Sequence, residues 1–226
     1  MCRCAWDDSG PFLGDEAMTW SVQVDAGERP VWVVGITPEM RDAAQANQSR
    51  DTVQGNARSS DEKSWDAFVG NLGELAVIEL LMQGSDADRW EYVDESETDL
   101  LRDGSLKLDV KSRDLGDRWG NLLVRRRMKH KGCGGAVLMG DGENRRCTKC
   151  GSEHCSYYRE NLKSDFYLLV HINESWEFAY VVGFASKHKV EESLWNESVP
   201  TPAHEIEFDE EHRDDLDDAS TLLGWG

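Results

Sequence analysis

Residues 97–113 read ETDLLRDGSLKLDVKSR. Two extended runs flank a turn at Asp103-Gly104, and the second run decides the fold because it alternates. From Leu106 to Ser112, period-2 geometry puts Leu106, Leu108 and Val110 on one face and Lys107, Asp109 and Lys111 on the other. An edge strand with solvated charges would show the same pattern. A hairpin of this length, however, brings Asp99 near Asp109, and adjacent carboxylates repel unless a cation lies between them. A hard divalent ion fits, since Mg²⁺ takes oxygen ligands, keeps several waters and is commonly held by one or two carboxylates. Lys111, one step along the same face, is placed to orient an attacking water or to offset developing negative charge.

Outward from this hairpin the chain mixes strands and helices. Ser60 or Asp61 caps a helix running to about Met82, with Trp65, Phe68, Leu72, Leu75 and Ala76 at three-to-four-residue spacing and Glu74 among them. Gly70 and Gly73 inside it each cost about 1 kcal/mol relative to Ala, which predicts close approach by a backbone, a ligand or a neighbouring strand. Upstream, residues 20–36 predict a hairpin around DAGERP, and Thr37-Pro38-Glu39 predicts a helix start with Thr as N-cap. The polar residues 45–60 predict a loop. Downstream, RWEYV, residues 121–127, Asp165 to Ile172 and Phe178 to Ala185 predict strands, and a short helix is expected near Ser186. From Glu205 onward nine carboxylates surround Arg213, the pattern of a solvated acidic tail.

The 226 residues allow one full core and a small appended module. A hydrophobic share of 39% with nine Trp excludes a disordered chain, despite 31% charged residues. The longest apolar stretches, VWVVG, FYLLVHI and FAYVVGFA, fall far short of the roughly 20 residues needed to cross a bilayer, so no membrane association and a cytoplasmic location are expected. Six cysteines in a reducing compartment point to metal rather than disulfides. The formal charge of −19 argues against a nucleic-acid ligand until its distribution is read. Residues 121–150 carry eight basic side chains against two acidic ones, leaving −25 on the remainder. A strongly acidic surface with one basic island suits a salt-loving host, an archaeon or its virus, where high salt screens self-repulsion.

Glu74, Asp99 and Asp109-Val110-Lys111 together resemble the motif of the PD-(D/E)xK nuclease superfamily: an acidic residue, a spacer, then acidic-x-Lys, often after a helical Glu. Asp94, Glu95, Glu97 and Asp103 compete for the first acidic position. The resemblance covers roughly residues 61–116 and 160–190. It implies an α/β, restriction-endonuclease-like core, a mixed central sheet flanked by helices, and a phosphodiesterase using Mg²⁺ or Mn²⁺. In that reading residues 1–60 form a hairpin and helix extension, 61–128 and 158–202 the two parts of the core, 129–157 an insertion and 203–226 an acidic tail.

The insertion contains His130-x₂-Cys133-Gly-Gly and Cys147-x₂-Cys150-Gly. Two ligands three residues apart, followed by Gly, make a knuckle, and two knuckles close a tetrahedron around structural Zn²⁺. His130 fits the fourth position best, with Cys155 or His154 as alternatives. An iron–sulfur cluster using Cys2 and Cys4 is the competing metal, which the His and the knuckle glycines disfavour. Arg125, Arg126, Arg127, Lys129, Arg145, Arg146 and Lys149 surround this zinc ribbon and can contact phosphates without reading sequence. Salt bridges to the chain's own acids are the competing use.

The expectation is a metal-dependent DNA nuclease that grips its substrate with the ribbon. A homodimer is expected if both strands of a duplex are cut. The alternative is a non-catalytic DNA-binding or regulatory protein with the nuclease-like core as scaffold.

Overall fold

The apolar runs Phe166–Ile172 and Phe178–Ser186 lie side by side at the centre of a seven-stranded mixed sheet. The structure is a computed structural model that describes residues 18–24, 27–48, 60–84, 86–95, 98–115, 120–139, 145–197, 202–208 and 216–223. In chain order the elements are β1 (Met18–Val24), β2 (Gly27–Gly35), α1 (Pro38–Gln48), α2 (Ser60–Met82), β3 (Trp90–Glu95), β4 (Thr98–Arg102), β5 (Leu106–Asp114) and β6 (Leu122–Arg125). There follow β7 (Met128–His130), β8 (Val137–Met139), β9 (Arg145–Cys147), β10 (Tyr157–Arg159), β11 (Phe166–Ile172), β12 (Phe178–Ser186) and α3 (Lys187–Glu192). The last are β13 (Leu194–Asn196), β14 (Ala203–Ile206) and α4 (Ala219–Leu223).

The main sheet has the order β1-β2-β12-β11-β5-β4-β3. Only β5 and β11 run parallel, with Asp109 opposite Tyr167 and Lys111 opposite Leu169. Parallel neighbours need a long crossover. Here that connection carries β6 and the whole cysteine-rich module.

Both faces of β11 are covered, which is why it reads as an unbroken apolar run. On one face Leu168 and Val170 pack with Leu100, Leu108 and Val110 against Phe68, Leu72, Ala76 and Leu80 of α2, a stripe at four-residue spacing. On the other, Tyr167 and Leu169 pack with Leu122, Val124, Leu162, Ile206 and Phe208. Truncating any of the fully buried leucines to Ala costs about 2–5 kcal/mol. At the end of the β11–β12 hairpin Trp176 adopts φ 55°, rare for a bulky side chain, and seats its ring 5.0 Å from Trp65 and 5.4 Å from Phe68.

Several expectations shift in detail. α1 starts where Thr37-Pro38 placed it, with the Met40 amide donating to Thr37 Oγ1 at 3.2 Å, but it continues to Gln48, into the stretch expected as loop. The rest of that loop, residues 49–59, lies outside the described residues. The hairpin expected as an extension joins the main sheet, because Trp32, Val33, Val34 and Gly35 pair with β12 and carry its hydrogen bonding outward. The strand expected over residues 121–127 forms, but in a separate three-stranded sheet of order β13-β14-β6.

The acidic tail requires correction. Its apolar residues, spaced between the acids, are buried: Ile206 and Phe208 close the second core, and Leu216, Ala219 and Leu222 pack on the sheet. Asp217 bridges to Phe184 of β12 through paired backbone bonds of 2.7 and 2.9 Å. Residues 209–215 lie outside the described residues.

The helix glycines separate into two kinds. A Cβ on Gly73 would fall 1.7 Å from Ser112 Oγ and 2.7 Å from Ser112 Cβ, so this glycine lets α2 lie directly on β5. A Cβ on Gly70 meets nothing within 4 Å. Gly73→Ala is therefore expected to destabilise by about 1–3 kcal/mol through overpacking. Gly70→Ala is expected to stabilise by roughly 0.5–1 kcal/mol through helix propensity. Thermal melts of the two variants should move in opposite directions from wild type, and a common direction would contradict this packing.

Candidate metal centres and the basic surface

β4 and β5 pair at Arg102↔Leu106, Leu101↔Lys107 and Leu100↔Leu108, and the ladder stops there. Beyond it the Val110 amide donates to Asp99 Oδ2 at 2.6 Å instead of to a β4 carbonyl. The acid thus sits where two antiparallel strands part, at the level of Asp109. Thr98, the residue before it, is buried and shares a hydroxyl–hydroxyl hydrogen bond of 3.2 Å with buried Ser164. On β5, Lys111 Nζ donates to Asp109 Oδ1 at 2.5 Å, and Asp109 is 6% exposed. Glu74 comes from the middle of α2, where the Tyr92 hydroxyl of β3 donates to Glu74 Oε2 at 3.5 Å.

These four charges act on one another. Burial, then the negative charges of Asp109 and Glu74, push the Asp99 carboxyl up to about 8, against the opposing pull of Lys111 and the Val110 amide. Burial would lower the Lys111 ammonium, but Asp109, Asp99 and Glu74 outweigh it and raise it above the ordinary lysine value. Lys111 is therefore a standing positive charge at neutral pH, suited to offsetting charge rather than to taking a proton. The carboxylates do not converge as tightly as zinc ligands do. Among the described residues, the one group of three or more ligand atoms all within 4.8 Å of one another is His130, Cys133, Cys147 and Cys150.

The Asp99 shift has a consequence for stability. Between its unfolded value of about 4 and about 8, the folded chain holds a proton that the unfolded chain has lost. That contribution is complete below the lower value and disappears as pH rises through the upper one. Zinc-loaded protein without Mg²⁺ is expected to lose thermal stability as pH rises from about 4 to about 8, with Asp99→Asn flattening the profile. An unchanged profile in the variant would contradict it.

Of the competing acids, Asp103 is exposed and tied to Arg89 at 2.6 Å, which removes it from the site. Glu97 and the side chains of Asp94 and Glu95 lie outside what the structure describes.

The cysteine module is closed by β7 pairing with β10, while β8 pairs with β9. Its two knuckles have the same backbone. The His130 amide donates to Gly135 O at 2.8 Å and the Gly134 amide to His130 O at 2.8 Å; in the second, Cys147 donates to Ser152 O at 2.9 Å and Gly151 to Cys147 O at 3.0 Å. Gly134 and Gly151 take φ of 67° and 70°, a turn that only glycine makes without strain. The result places His130 Nδ1 3.3 Å from Cys133 Sγ and 3.4 Å from Cys150 Sγ, with Cys133 and Cys147 sulfurs 3.4 Å apart.

This His/Cys₃ cluster is compatible with structural zinc, a soft N/S donor set with no protein position left open. His130 is the fourth member. Cys155 instead lies buried beside Met128 and Val137 with its thiol toward Arg145 O at 3.8 Å, and His154 is outside the cluster. Hydrogen bonds from the Ser152 hydroxyl and amide hold the Cys150 thiol down at about 6, so this ligand is a thiolate at neutral pH. Cys2 and Cys4 lie outside the described residues.

The basic island divides. Arg126 donates to Glu160 O at 2.6 Å, Lys129 pairs with Glu160 at 3.7 Å and Arg145 with Glu197 at 3.9 Å, its guanidinium 4.9 Å from the Tyr157 ring. Lys149 reaches across to Cys133 O at 3.3 Å. These contacts fasten the module internally and to the core, where Glu197 also accepts from Tyr157 and Trp195. Arg125, Arg127 and Arg146 are exposed.

Sequence reasoning missed Tyr92, Ser152 and the Thr98–Ser164 pair. Ser152 was within reach, two residues after Cys150 in a short turn. The other two depend on which strand lands beside which helix or loop.

Fold and sites together define a mixed α/β chain with a curled central sheet and a His/Cys₃ cluster in its crossover connection. Compared with known protein families, curated proteins and solved structures, the chain matches none. No helix among the described residues is long and apolar enough to cross a membrane.

Proposed function

We propose that the chain hydrolyses DNA phosphodiesters with Mg²⁺ or Mn²⁺ at Glu74, Asp99, Asp109 and Lys111, on a restriction-endonuclease-like core. The observation that carries this reading is the arrangement where β4 and β5 part: Asp99, held by the Val110 amide, lies level with buried Asp109, which Lys111 grips, and the charges of Asp109 and Glu74 help push the Asp99 carboxyl up. Such a site holds more negative charge than the fold neutralises, and a divalent cation relieves it. Hard oxygen donors would suit Mg²⁺ or Mn²⁺, and Asp99, Asp109 and Glu74 are the residues that would hold the ion. When bound, the metal polarises the phosphoryl oxygen and acidifies a water.

The remaining work belongs to the chain. Val110 fixes Asp99 through its amide, Tyr92 steadies Glu74, and Lys111 keeps its charge available for the negative charge that grows on the phosphate oxygens. Arg146 on the ribbon, with Arg125 and Arg127 beside it, would supply phosphate contacts, which position DNA without reading its sequence.

The test incubates zinc-loaded protein in about 1 M KCl, where a Debye length of about 3 Å suppresses self-repulsion, with supercoiled, linear, single-stranded and branched DNA. Magnesium is withheld in the control rather than chelated, so the ribbon keeps its zinc. Cleavage that needs Mg²⁺ or Mn²⁺ is expected. Tight binding with no cleavage under any metal would support the non-catalytic DNA-binding reading instead.

A further inference from the structure

An open cavity of about 460 Å³, a surface groove rather than an enclosed pocket, lies along Tyr158, Arg159, Glu160, Asn161, Leu162 and Lys163, the segment that leaves the ribbon and enters β11. Its position is set at both ends. Tyr158 belongs to β10, paired with Lys129 of β7, so it moves with the zinc module. At the far end Ser164 bonds Thr98, the neighbour of Asp99, and Asp165 Oδ2 accepts from the Lys107 amide of β5 at 2.9 Å. Five residues separate Tyr158 from Ser164, at most about 20 Å of extended chain. The segment that lines the cavity therefore links the cysteine module to the strand beside β5.

Its lining is chemically mixed. Tyr158 is 47% exposed, an aromatic ring offered to solvent, as Tyr92 and Trp65 also are among the described residues. Arg159 lies over the Trp195 ring at 3.8 Å and is fixed there, while Leu162 is buried in the second core and forms a rigid floor. Residues 125–163 hold ten basic and four acidic side chains in a chain of net charge −19, so this is where a polyanion meets least repulsion. An open surface with an exposed ring, and with Arg159 and Lys163 beside Glu160 along it, has the elements that single-strand binding uses, a face for stacking and nearby cations.

We propose that this cavity binds single-stranded nucleic acid, with one unpaired base stacked on Tyr158 as the strand passes between the ribbon and the acidic site. The inference rests on the nuclease reading for the strand's destination, though binding itself needs no chemistry. A duplex keeps its bases stacked on each other and cannot use the ring. The substrate class that follows is DNA with a single-stranded portion, an end, a flap or a junction, rather than an intact duplex.

The test measures fluorescence anisotropy of labelled dT12 and of a blunt 12-base-pair duplex. It uses zinc-loaded Asp109→Asn protein, to prevent cleavage, with and without Tyr158→Ala or Tyr158→Phe. Base stacking on one ring is worth about 1–3 kcal/mol, so Tyr158→Ala should weaken dT12 binding by roughly 5- to 150-fold, leave duplex binding unchanged and be rescued by Phe. Equal loss for both DNAs, or no loss for dT12, overturns the inference. Wild-type protein that binds dT12 through Tyr158 yet cleaves nothing would overturn the nuclease reading alone.

Discussion

Asp109→Asn is expected to abolish DNA cleavage while the chain stays folded. Metal assistance to a phosphoryl oxygen is worth several kcal/mol, and each 1.36 kcal/mol is tenfold in rate, so a loss of about 10³-fold or more is expected. The amide preserves shape at a position that is only 6% exposed. It leaves Lys111 without its closest partner, but Asp99 and Glu74 still face that ammonium, so the stability cost is modest. Lys111→Ala acts differently. The rate should fall by about 10²–10³-fold, the size of a lost electrostatic stabiliser, with metal binding retained. Without the ammonium, Asp99 and Asp109 repel more strongly, so the melting temperature of this variant should recover more on adding Mg²⁺ than that of wild type. Single-turnover cleavage and melts with and without Mg²⁺ separate the two roles. Full activity in either variant would place the chemistry elsewhere.

Loss of the ribbon metal is the second large effect expected. Apparent zinc-binding free energies of structural sites run to about 10–16 kcal/mol, and the small cluster of Met128, Val137, Cys147 and Cys155 cannot replace that. One zinc per chain is expected by elemental analysis. Cys147→Ser, at a position with no exposure, should remove it and unfold residues 128–159. Hydrogen exchange should then show protection lost there and kept in β11 and β12, because the main sheet has its own two cores. Trp195 reports the same event, since it sits under Arg159 and shares Glu197 with Tyr157. Cys155→Ser is the control and should keep its zinc. Equal zinc loss in both variants would mean that Cys155, not His130, completes the tetrahedron.

Legibility in the sequence followed how local each determinant is. The helix Ser60–Met82 and its apolar stripe were readable because a repeat near four residues over six turns has no other use. The β4–β5 hairpin was readable from Asp103-Gly104, whose φ values of 52° and 67° are the left-handed turn those residues favour. The knuckles were readable because ligand spacing and the following glycine fix the same turn twice. Long-range pairing was not. Nothing in residues 20–36 says that β2 lies against β12, and a carboxylate run around Ile206, Phe208 and Leu216 hides buried anchors behind its charge. The same holds at the site. The sequence brought Asp99, Asp109 and Lys111 together through one hairpin, whereas Glu74's partner Tyr92 needed the packing of α2 on β3.

The claim on which the rest depends is that Asp99, Asp109 and Glu74 share one divalent cation. Isothermal titration of Mn²⁺ into zinc-loaded protein at pH about 8.5, above the Asp99 value of about 8, tests it without any DNA. One saturable site per chain is expected in wild type, weakening as pH falls to 6 and lost in the Asp99→Asn/Asp109→Asn double variant. No saturable site in wild type, or one that the double variant keeps, would contradict it.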